Sequence, residues 1–403
     1  MQKIAGPGAT PLGEFTEGNP GTGTDATMVT APWMNTVQRE LVNLVEAAGL
    51  VLNPSDDTQV RQAIAILGAG SGGLSKNLLI NGGFEFQQRV LTAGTFAITN
   101  AGRYALDRWR CRADAQGSGT GTATVTRQAF TTGQVDVPGN PKNYMRWVQG
   151  TSSSVASPVF EQRVEDVTRF GEGSIALSMY LKGSTALALT LRIYQVFGTG
   201  GSPTAPILVG TLPISISTAW TRYTLPVNLT NGGFSMAGRT LGTNKDSYLL
   251  CEVSLPNGTN GWTVEVANAQ LERNSQASTF IPRDPGDELA RCQRYYHRSG
   301  SLDYALDQTA VLCSPIMNWE HNTLNQIINS TCGRRFPAVM RKAPTVTWWS
   351  GVSGLVNKVY WGADRNFVAN YGVTEQALGR VETDAGPSPD GSTQNHYEAD
   401  AEL

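Results

Sequence analysis

The chain has 403 residues, 31 of them basic and 33 acidic, and a formal net charge of -2 at pH 7. Its length allows two or three domains with cores of their own, and its nearly balanced charge argues against a nucleic-acid partner, because no broad cationic surface can form. No segment has the apolar length of a signal-peptide core or a membrane span, so we expect synthesis in a cytoplasm and no insertion into a membrane.

The composition favours short strands over helices. Glycine contributes 44 residues and charged residues only 16% of the chain, which is typical of many strands joined by tight turns. The cysteines stand far apart, without a CxxC pair or the dense spacing of a small disulfide-stabilised domain. We therefore expect reduced and mostly buried thiols at Cys111, Cys251, Cys292, Cys313 and Cys332.

About the first 30 residues are rich in Gly, Pro and Thr. Such a segment has too little apolar surface to fold alone, so we expect it to become ordered only against a partner. Farther along, Gly68 to Gly73 (GAGSGG) has the composition of a flexible linker. Residues 1–73 are thus predicted to form an N-terminal anchor that ends in this linker.

Two amphipathic helices are predicted inside the anchor. The first begins near Trp33 and stops at Gly49, and the second is capped by Ser55, Asp56 or Asp57. Helices this short bury little surface between them, so their apolar faces need a second copy of the chain or a docking partner. These faces consist of Trp33, Val37, Leu41, Leu44 and Val45 in the first helix, and of Val60, Ile64 and Leu67 in the second.

Beyond the linker the hydrophobic period falls to two, the period of strands with one buried face. The alternation is clearest at residues 175–181, 187–193 and 249–255, and turn residues separate these segments. Residues 76–285 are therefore predicted to form an antiparallel β-sandwich of the jelly-roll kind. No sequence period of a β-helix or other repeat fold is present.

The remaining residues, 286–403, are predicted to form a β-rich distal domain. Glu288 to Tyr296 suits either a helical turn or the entry to a strand, and short strands are indicated at Thr345–Trp349 and Lys358–Trp361. The pattern leaves the topology of this domain open. The fold class predicted for the whole chain is mainly β, with a short helical N-terminal anchor.

Several segments, in their order along the chain, resemble tail fibre and receptor-binding proteins of tailed bacteriophages. They are APWMNTVQRELVNLVEAAGL (31–50), NLLINGGFEFQQR (77–89), YALDRWR (104–110), TAWTRYTLPV (218–227), NAQLERNSQASTFIPRDPGDELARCQRYY (268–296), RFPAVMRKAPTV (335–346) and YEADAEL (397–403). The resemblance implies a homotrimer located in the virion tail. It also implies attachment to phage tail or baseplate proteins through the N-terminus, and binding of a bacterial surface receptor through the C-terminal part.

The segment NGGFE also resembles the opening strand of carbohydrate-binding modules of the galactose-binding jelly-roll type. In those modules the acid after the Phe and an Asp near the last strand hold a structural calcium ion. Here Glu85 occupies the first position, and Asn268, between Ala267 and Ala269, stands where the Asp would be expected. The resemblance thus implies sugar binding and suggests a calcium ion at Glu85 and Asn268; no other cofactor is expected.

No arrangement in the sequence indicates catalysis. His297, His321 and His396 lie in neither a nucleophile elbow nor an HExxH motif. Acid pairs such as Glu161 with Glu165, or Glu382 with Asp384, arise by chance among 33 acids, and we interpret them as solvated surface. A protein that binds without turnover is favoured; a glycan-degrading tail spike and a purely structural tail or baseplate adaptor are the alternatives.

Aromatic side chains crowd the predicted distal domain. Indole faces stack on sugar rings, so these residues could bind a receptor, although packing in a domain core or along a trimer axis is the commoner role for any one of them. Adjacent strand residues point to opposite faces, which predicts that one of Trp348 and Trp349 is buried and the other exposed. The candidate receptor-binding residues are Trp319, Trp348, Trp349, Tyr360, Trp361 and Tyr371.

Two further groups of residues have expected roles, one of arginines and tyrosines and one of tryptophans. Arg291, Arg294 and Arg298 flank two tyrosines, Tyr295 and Tyr296, and could form a patch for an anionic glycan or a hinge between domains. The other tryptophans are expected to pack inside the sandwich: Trp109, Trp147, Trp220 and Trp262.

Overall fold

The computed structural model describes residues 3–70, 77–89, 95–98, 102–113, 121–152, 158–230, 234–256, 261–299, 320–321, 326–328, 334–361, 363–378, 380–384 and 393–403. The chain divides into two compact units, Met1–Ser75 and Lys76–Leu403. Among the described helices, none combines the length and the apolar character needed to cross a membrane.

The N-terminal unit contains both predicted helices, α1 (Ala31–Ala47) and α2 (Gln59–Gly70). Pro32 occupies the first turn of α1, where its missing N–H costs no hydrogen bond. Gly49, with a φ of 73°, ends the helix in a left-handed conformation that favours glycine. The two helices contact each other.

The segment before α1 is connected by internal hydrogen bonds, and its need for a partner stays a prediction. The hydroxyl of Thr27 donates to the carbonyl of Gly8 at 2.8 Å, and the amide of Met28 donates to the carbonyl of Pro7 at 2.9 Å. A 3-10 turn at Pro20–Thr22 closes its far end. Backbone hydrogen bonds made by tight glycine turns supply the order that a small apolar core cannot.

The N-terminal unit buries few apolar side chains. Of the predicted apolar face of α1, Val45 is buried, whereas Leu41 is 44% exposed. Trp33, partly buried, meets the ring of Phe15 edge-on at 5.2 Å. The other two members of the face, Val37 and Leu44, are partly buried. Much of the apolar surface of α1 therefore remains open to a further contact.

The second unit begins with twelve strands that carry the predicted alternation. They are β1 (Thr95–Ile98), β2 (Arg103–Leu106), β3 (Trp109–Ala113), β4 (Gly121–Ala129), β5 (Asn143–Ser152), β6 (Pro158–Glu165), β7 (Ser174–Gly183), β8 (Leu187–Val196), β9 (Ile207–Ile216), β10 (Thr221–Asn228), β11 (Tyr248–Ser254) and β12 (Thr263–Glu272). The strands predicted at 175–181, 187–193 and 249–255 are confirmed as β7, β8 and β11.

These strands form two antiparallel sheets. The first sheet has the order β1-β4-β5-β12-β7-β10, and the second has the order β2-β3-β6-β11-β8-β9. Strands β5 to β12 form the part common to jelly rolls. The first sheet contributes the order β5-β12-β7-β10 and the second sheet the order β6-β11-β8-β9, which is the strand order of a jelly roll. The predicted mainly β fold with a central antiparallel sandwich is confirmed.

The sandwich core lies between the two sheets. Trp109 is centred in it, with ring centroids 5.2 Å from Phe84 and 5.9 Å from Phe160. Trp147 and Trp262 are buried as expected. Each fully buried large side chain contributes about 1.5–3 kcal/mol through removal of apolar surface from water. Trp220 is the exception among these four tryptophans. It lies partly exposed rather than inside the sandwich core.

The distal part begins with α3 (Pro285–Gln293), capped by the Asp284 side chain. A sheet of order β13-β22-β18-β19-β21-β15-β14 follows, with β17 also paired to β22, and β16 pairs with β20. The bounds are β13 (Tyr296–Arg298), β14 (Glu320–His321), β15 (Gln326–Ile328), β16 (Arg334–Arg335), β17 (Thr345–Ser350), β18 (Lys358–Trp361), β19 (Asp364–Tyr371), β20 (Ala377–Leu378), β21 (Arg380–Thr383) and β22 (Thr393–Asp400).

The division between a sandwich of residues 76–285 and a distal domain of residues 286–403 stays a prediction. The distal part has its own hydrophobic cluster. It belongs with the sandwich to the unit Lys76–Leu403. The physical reason is a buried polar junction between the two parts, which begins at the NGGFE segment.

Asn81 organises the sandwich side of this junction. Its side-chain amide donates to the backbone carbonyls of Phe86 at 2.7 Å and Asp107 at 3.0 Å. The backbone carbonyl of Asn81 accepts from the indole N–H of Trp109 at 2.9 Å. The backbone amide of Asn81 donates to the carboxylate of Glu288 in α3. The positive φ of 57° at this residue is one that Asn tolerates better than most side chains.

Arg108 organises the distal side. Its guanidinium is buried, forms an ion pair with Glu402, and lies 3.4 Å from the ring centroid of Tyr295. Arg89 bonds Glu402 as well, at 3.2 Å, and the carbonyl of Leu403 accepts from Arg163 of the sandwich at 2.6 Å. The end of the chain is thereby fixed to the second sheet.

Loss of the Glu402 charge should loosen this junction. Glu402→Gln leaves the buried Arg108 guanidinium without its carboxylate, and an uncompensated buried charge costs about 3–5 kcal/mol. We expect a lower midpoint in urea unfolding followed by tryptophan fluorescence. Glu375→Gln, which changes an exposed carboxylate, should shift stability by no more than about 0.5 kcal/mol. Equal shifts in both variants would contradict the role of the ion pair.

Candidate functional site

The predicted aromatic site in the distal part is divided by the sheet. Trp348 is 1% exposed, packs against Tyr397 at 5.6 Å between ring centroids, and donates its indole N–H to Asn370 at 2.9 Å. Its burial in the distal core excludes stacking on a ligand, so Trp348 is wrong as a receptor-binding candidate. Trp349 points to the other face and is partly exposed, as the alternation predicts.

The other candidates are described only in part. Tyr360 is partly buried on β18. Trp361 and Tyr371 end β18 and β19, but their side chains lie outside the described part of the structure, as does all of Trp319. A shared surface made by these residues stays a prediction.

The predicted basic patch around α3 is not a surface patch. Tyr295, Tyr296 and Arg298 are each no more than 3% exposed, because they form the junction between the sandwich and the distal sheet. Arg294 is partly exposed but pairs with Glu165 at 3.2 Å. Arg291 is exposed, but the two tyrosines and Arg298 are buried away from it, so the five residues do not form the predicted basic aromatic surface.

The acid pair Glu161 and Glu165 is also not the solvated surface that we expected. Glu161 has no exposed surface and accepts from Arg110 at 2.7 Å and from Arg112 at 2.5 Å. Burial alone would raise its pKa, but Arg112, Arg163 and Arg110 outweigh burial and lower it. Glu161 is therefore a structural anion of the second sheet, held by Arg110, Arg112 and Arg163.

Glu85 and Asn268 offer limited support for a cation. Burial raises the pKa of Glu85, with Lys142 opposing the effect. Asn268 lies in a β12 bulge, is 3% exposed, and has a side-chain oxygen without a hydrogen-bond partner. Calcium takes six to eight oxygens, and no cluster of three or more His, Cys, Asp or Glu side chains suited to a metal occurs among the described residues. A calcium ion there stays a prediction from the resemblance.

The structure assembles a different site on the outer face of the first sheet. The core-facing side chains of β5 and β12 are buried, including Met145, Trp147 and Val264. The residues between them point outward, and the register places Arg146 beside Glu265 and Glu265 beside Lys182 across β5, β12 and β7. These three side chains, Arg146, Glu265 and Lys182, cross the centre of this face, and we call them the charged row.

Three aromatic rings lie next to the row. Phe130, Tyr144 and Trp220 are all partly exposed, and their ring centroids are 4.7 Å (Phe130 to Tyr144), 5.4 Å (Phe130 to Trp220) and 5.6 Å (Tyr144 to Trp220) apart. We call these three residues the aromatic cluster. Rings at such distances stabilise one another, so the cluster presents a fixed apolar surface to solvent.

The charged row and the aromatic cluster are directly connected. Glu265 is nearly buried and pairs with Arg146 at 2.6 Å and with Lys182 at 3.2 Å. Arg146 also donates to the hydroxyl of Tyr144 at 2.8 Å, and the Lys182 ammonium lies 5.8 Å from the Trp220 ring. The face therefore combines apolar ring surface with fixed hydrogen-bond donors, the chemistry that binds sugars.

The aromatic cluster and the charged row could not be predicted from sequence, for a physical reason. Tyr144 lies on β5 and Trp220 directly precedes β10, far apart in the chain, and only the sheet order brings their rings together. The local signal was the alternation of Tyr144, Arg146 and Val148 with buried residues in β5. That alternation identifies side chains of β5 that point outward, but it does not identify the residues of other strands that lie beside them.

No protein-family model matches the sequence, and no curated protein matches it. Solved structures with a similar arrangement include TmCBM61 in complex with β-1,4-galactotriose, at 15% identity and a TM-score of 0.28, over 50% of this chain and 100% of that one. The family 11 carbohydrate-binding module of Clostridium thermocellum, in complex with a mixed-linked tetrasaccharide, has 13% identity and a TM-score of 0.26, over 45% and 98%.

A third similar structure is the enzymatically active domain of tailspike protein 4 from bacteriophage CBA120. It has 11% identity and a TM-score of 0.27, over 49% of this chain and 21% of that chain. At these levels of similarity, none of the three structures assigns a ligand or an activity to this chain.

The distal core should weaken in acid through His396. Burial and the nearby Arg298 charge lower the pKa of this imidazole below the unfolded value of about 6.5. The unfolded chain therefore binds the proton more readily, and stability is lost as the pH falls below that value. We expect the urea midpoint to fall between about pH 7.5 and about pH 5.5, and to fall less in His396→Gln. A pH dependence that is unchanged in the variant would contradict this.

Proposed function

We propose that the chain is a receptor-binding protein of the tail-fibre type from a tailed bacteriophage, and that it binds a glycan of the bacterial surface without turning it over. The phage assignment rests on the resemblance of the segments between residues 31 and 403. The observation that supports glycan binding is the partly exposed aromatic cluster beside the charged row of the first sheet.

The aromatic cluster suits a pyranose ligand. The C–H face of a sugar ring packs against an aromatic ring, while donors such as Arg146 and Lys182 can reach its oxygen atoms. Tyr144 and Trp220 contact each other and three further neighbours, Phe130, Arg146 and Lys182, so binding orders few side chains. Preorganisation of this kind lowers the entropic cost of association.

The N-terminal unit would attach three chains to one another and to the phage tail or baseplate. Leu41 and Ile64 are 44% and 58% exposed on α1 and α2, and such apolar surface is a suitable contact for copies of the same helix pair. Three sites on one fibre then give avidity without requiring a strong single contact. In this proposal the protein is located in the virion tail.

The binding site can be tested with Trp220→Ala and Trp349→Ala, which remove partly exposed indoles from the first sheet and from the distal sheet. Loss of one stacking ring costs about 1.5 kcal/mol, roughly a tenfold loss of affinity. We expect Trp220→Ala to weaken binding to surface polysaccharide of susceptible bacteria, measured by biolayer interferometry, and to require about tenfold more protein to compete with phage adsorption.

Trp349→Ala should retain binding and serves as the matched control. The reverse result would move the receptor site to the distal sheet. Unchanged binding in both variants would contradict glycan recognition through either indole and favour the structural adaptor.

The assembly can be tested by light scattering of the full-length chain. We expect a mass three times the 43.2 kDa of one chain, and a monomer mass for Leu41→Glu combined with Ile64→Glu, because buried carboxylates oppose packing of the helices. Gln38→Glu, at an exposed polar position of α1, should leave the mass unchanged. A monomeric parent chain would contradict the trimer.

A further inference from the structure

We infer that the ligand of the first-sheet face is an acidic saccharide, in which a carboxylate or phosphate group is bound by Arg146 and Lys182. The inference rests on the proposed glycan-binding role of the aromatic cluster and goes beyond it by specifying the charge of the ligand. It follows from an imbalance of charge on the outer face of this sheet.

The charged row contains two cations and one anion. Glu265 is the carboxylate between Arg146 and Lys182, and both cationic side chains are 36% exposed whereas Glu265 is only 7% exposed. The cations are therefore the groups that a ligand can reach. One carboxylate cannot neutralise both of them, so the row keeps an excess positive charge.

The neighbouring outward positions do not remove this excess. Arg222, opposite Tyr180 in the register, donates to two neutral acceptors, the hydroxyl of Ser178 and the carbonyl of Ser278. The other acid on this side of β12 is Glu272, at the far end of the strand. It is 2% exposed and accepts both hydrogen bonds of Ser278, so it lies under a covering segment and away from the row.

Both cations also keep donors for a ligand. Arg146 uses its Nε and one Nη group on Glu265 and Tyr144, and within the described residues its other Nη group has no partner. Lys182 makes one ion pair, at 3.2 Å, through an ammonium with three N–H donors. A planar guanidinium and an ammonium on alternate strands, about 10 Å apart at the backbone, can hold an anionic group between or beside them.

The energetic preference follows from desolvation. A neutral sugar that covers this face removes water from a net positive site without replacing its counter-charge, which costs free energy. A carboxylate or phosphate forms charge-assisted hydrogen bonds there instead, and these are roughly twice as strong as neutral ones. The aromatic cluster, 5.8 Å from the Lys182 ammonium at Trp220, then packs against the ring that carries the acid.

The test uses the full-length protein and a panel of purified bacterial polysaccharides, acidic and neutral. Each acidic member is also supplied after carboxyl reduction and after removal of its phosphates. We expect acidic members to bind at least tenfold more tightly than their neutralised forms at low salt, and the difference to shrink as ionic strength rises. The treatment that removes the preference identifies the carboxylate or the phosphate as the bound group.

Variants separate this inference from the proposed function. Arg146→Gln and Lys182→Gln should each reduce the preference for the acidic form, and Lys342→Gln, at an exposed lysine of the distal part, should not. Equal affinity for acidic and neutralised forms, or no binding to any acidic member, would overturn the inference. If neutral polysaccharides bind and Trp220→Ala still weakens that binding, glycan recognition stands and only its charge preference fails.

Discussion

The ion pair between Arg108 and Glu402 is the constraint on which the arrangement of residues 77–403 depends. Both side chains are almost fully buried, so loss of the Glu402 carboxylate would leave the Arg108 guanidinium as a buried charge without a counter-charge. Arg108 belongs to the hairpin of β2 and β3, and Glu402 is the next-to-last residue of the chain. The pair therefore joins the start of the sandwich to Glu402 in the distal part.

Polar groups around this pair give the junction its specificity. Asn81, Glu288 and Arg283 form a second buried network, in which Arg283 donates to the carbonyl of Leu79 at 2.9 Å and to Glu288 at 2.8 Å. Apolar packing alone would allow the distal sheet to slide over the sandwich, whereas directional hydrogen bonds allow one geometry.

The junction also decides which surface is open to a ligand. The C-terminal residues bind Arg163 and Tyr104, which belong to the second sheet, and the buried arginines of that sheet are occupied by Glu161 and Glu252. On the first sheet, Arg146, Lys182 and Trp220 remain partly exposed. The second sheet is thus used for internal attachment, and the outer face of the first sheet keeps partly exposed charged and aromatic side chains.

The sequence by itself determined the strands, the helices of the N-terminal unit and the mainly β class, because strand and helix periods are local properties of the chain. It also predicted the opposite faces of Trp348 and Trp349. Only the tertiary structure decided which face was buried, and only sheet order brought Tyr144 to Trp220 and Arg108 to Glu402. These contacts join residues far apart in sequence, where local periodicity carries no information about partners.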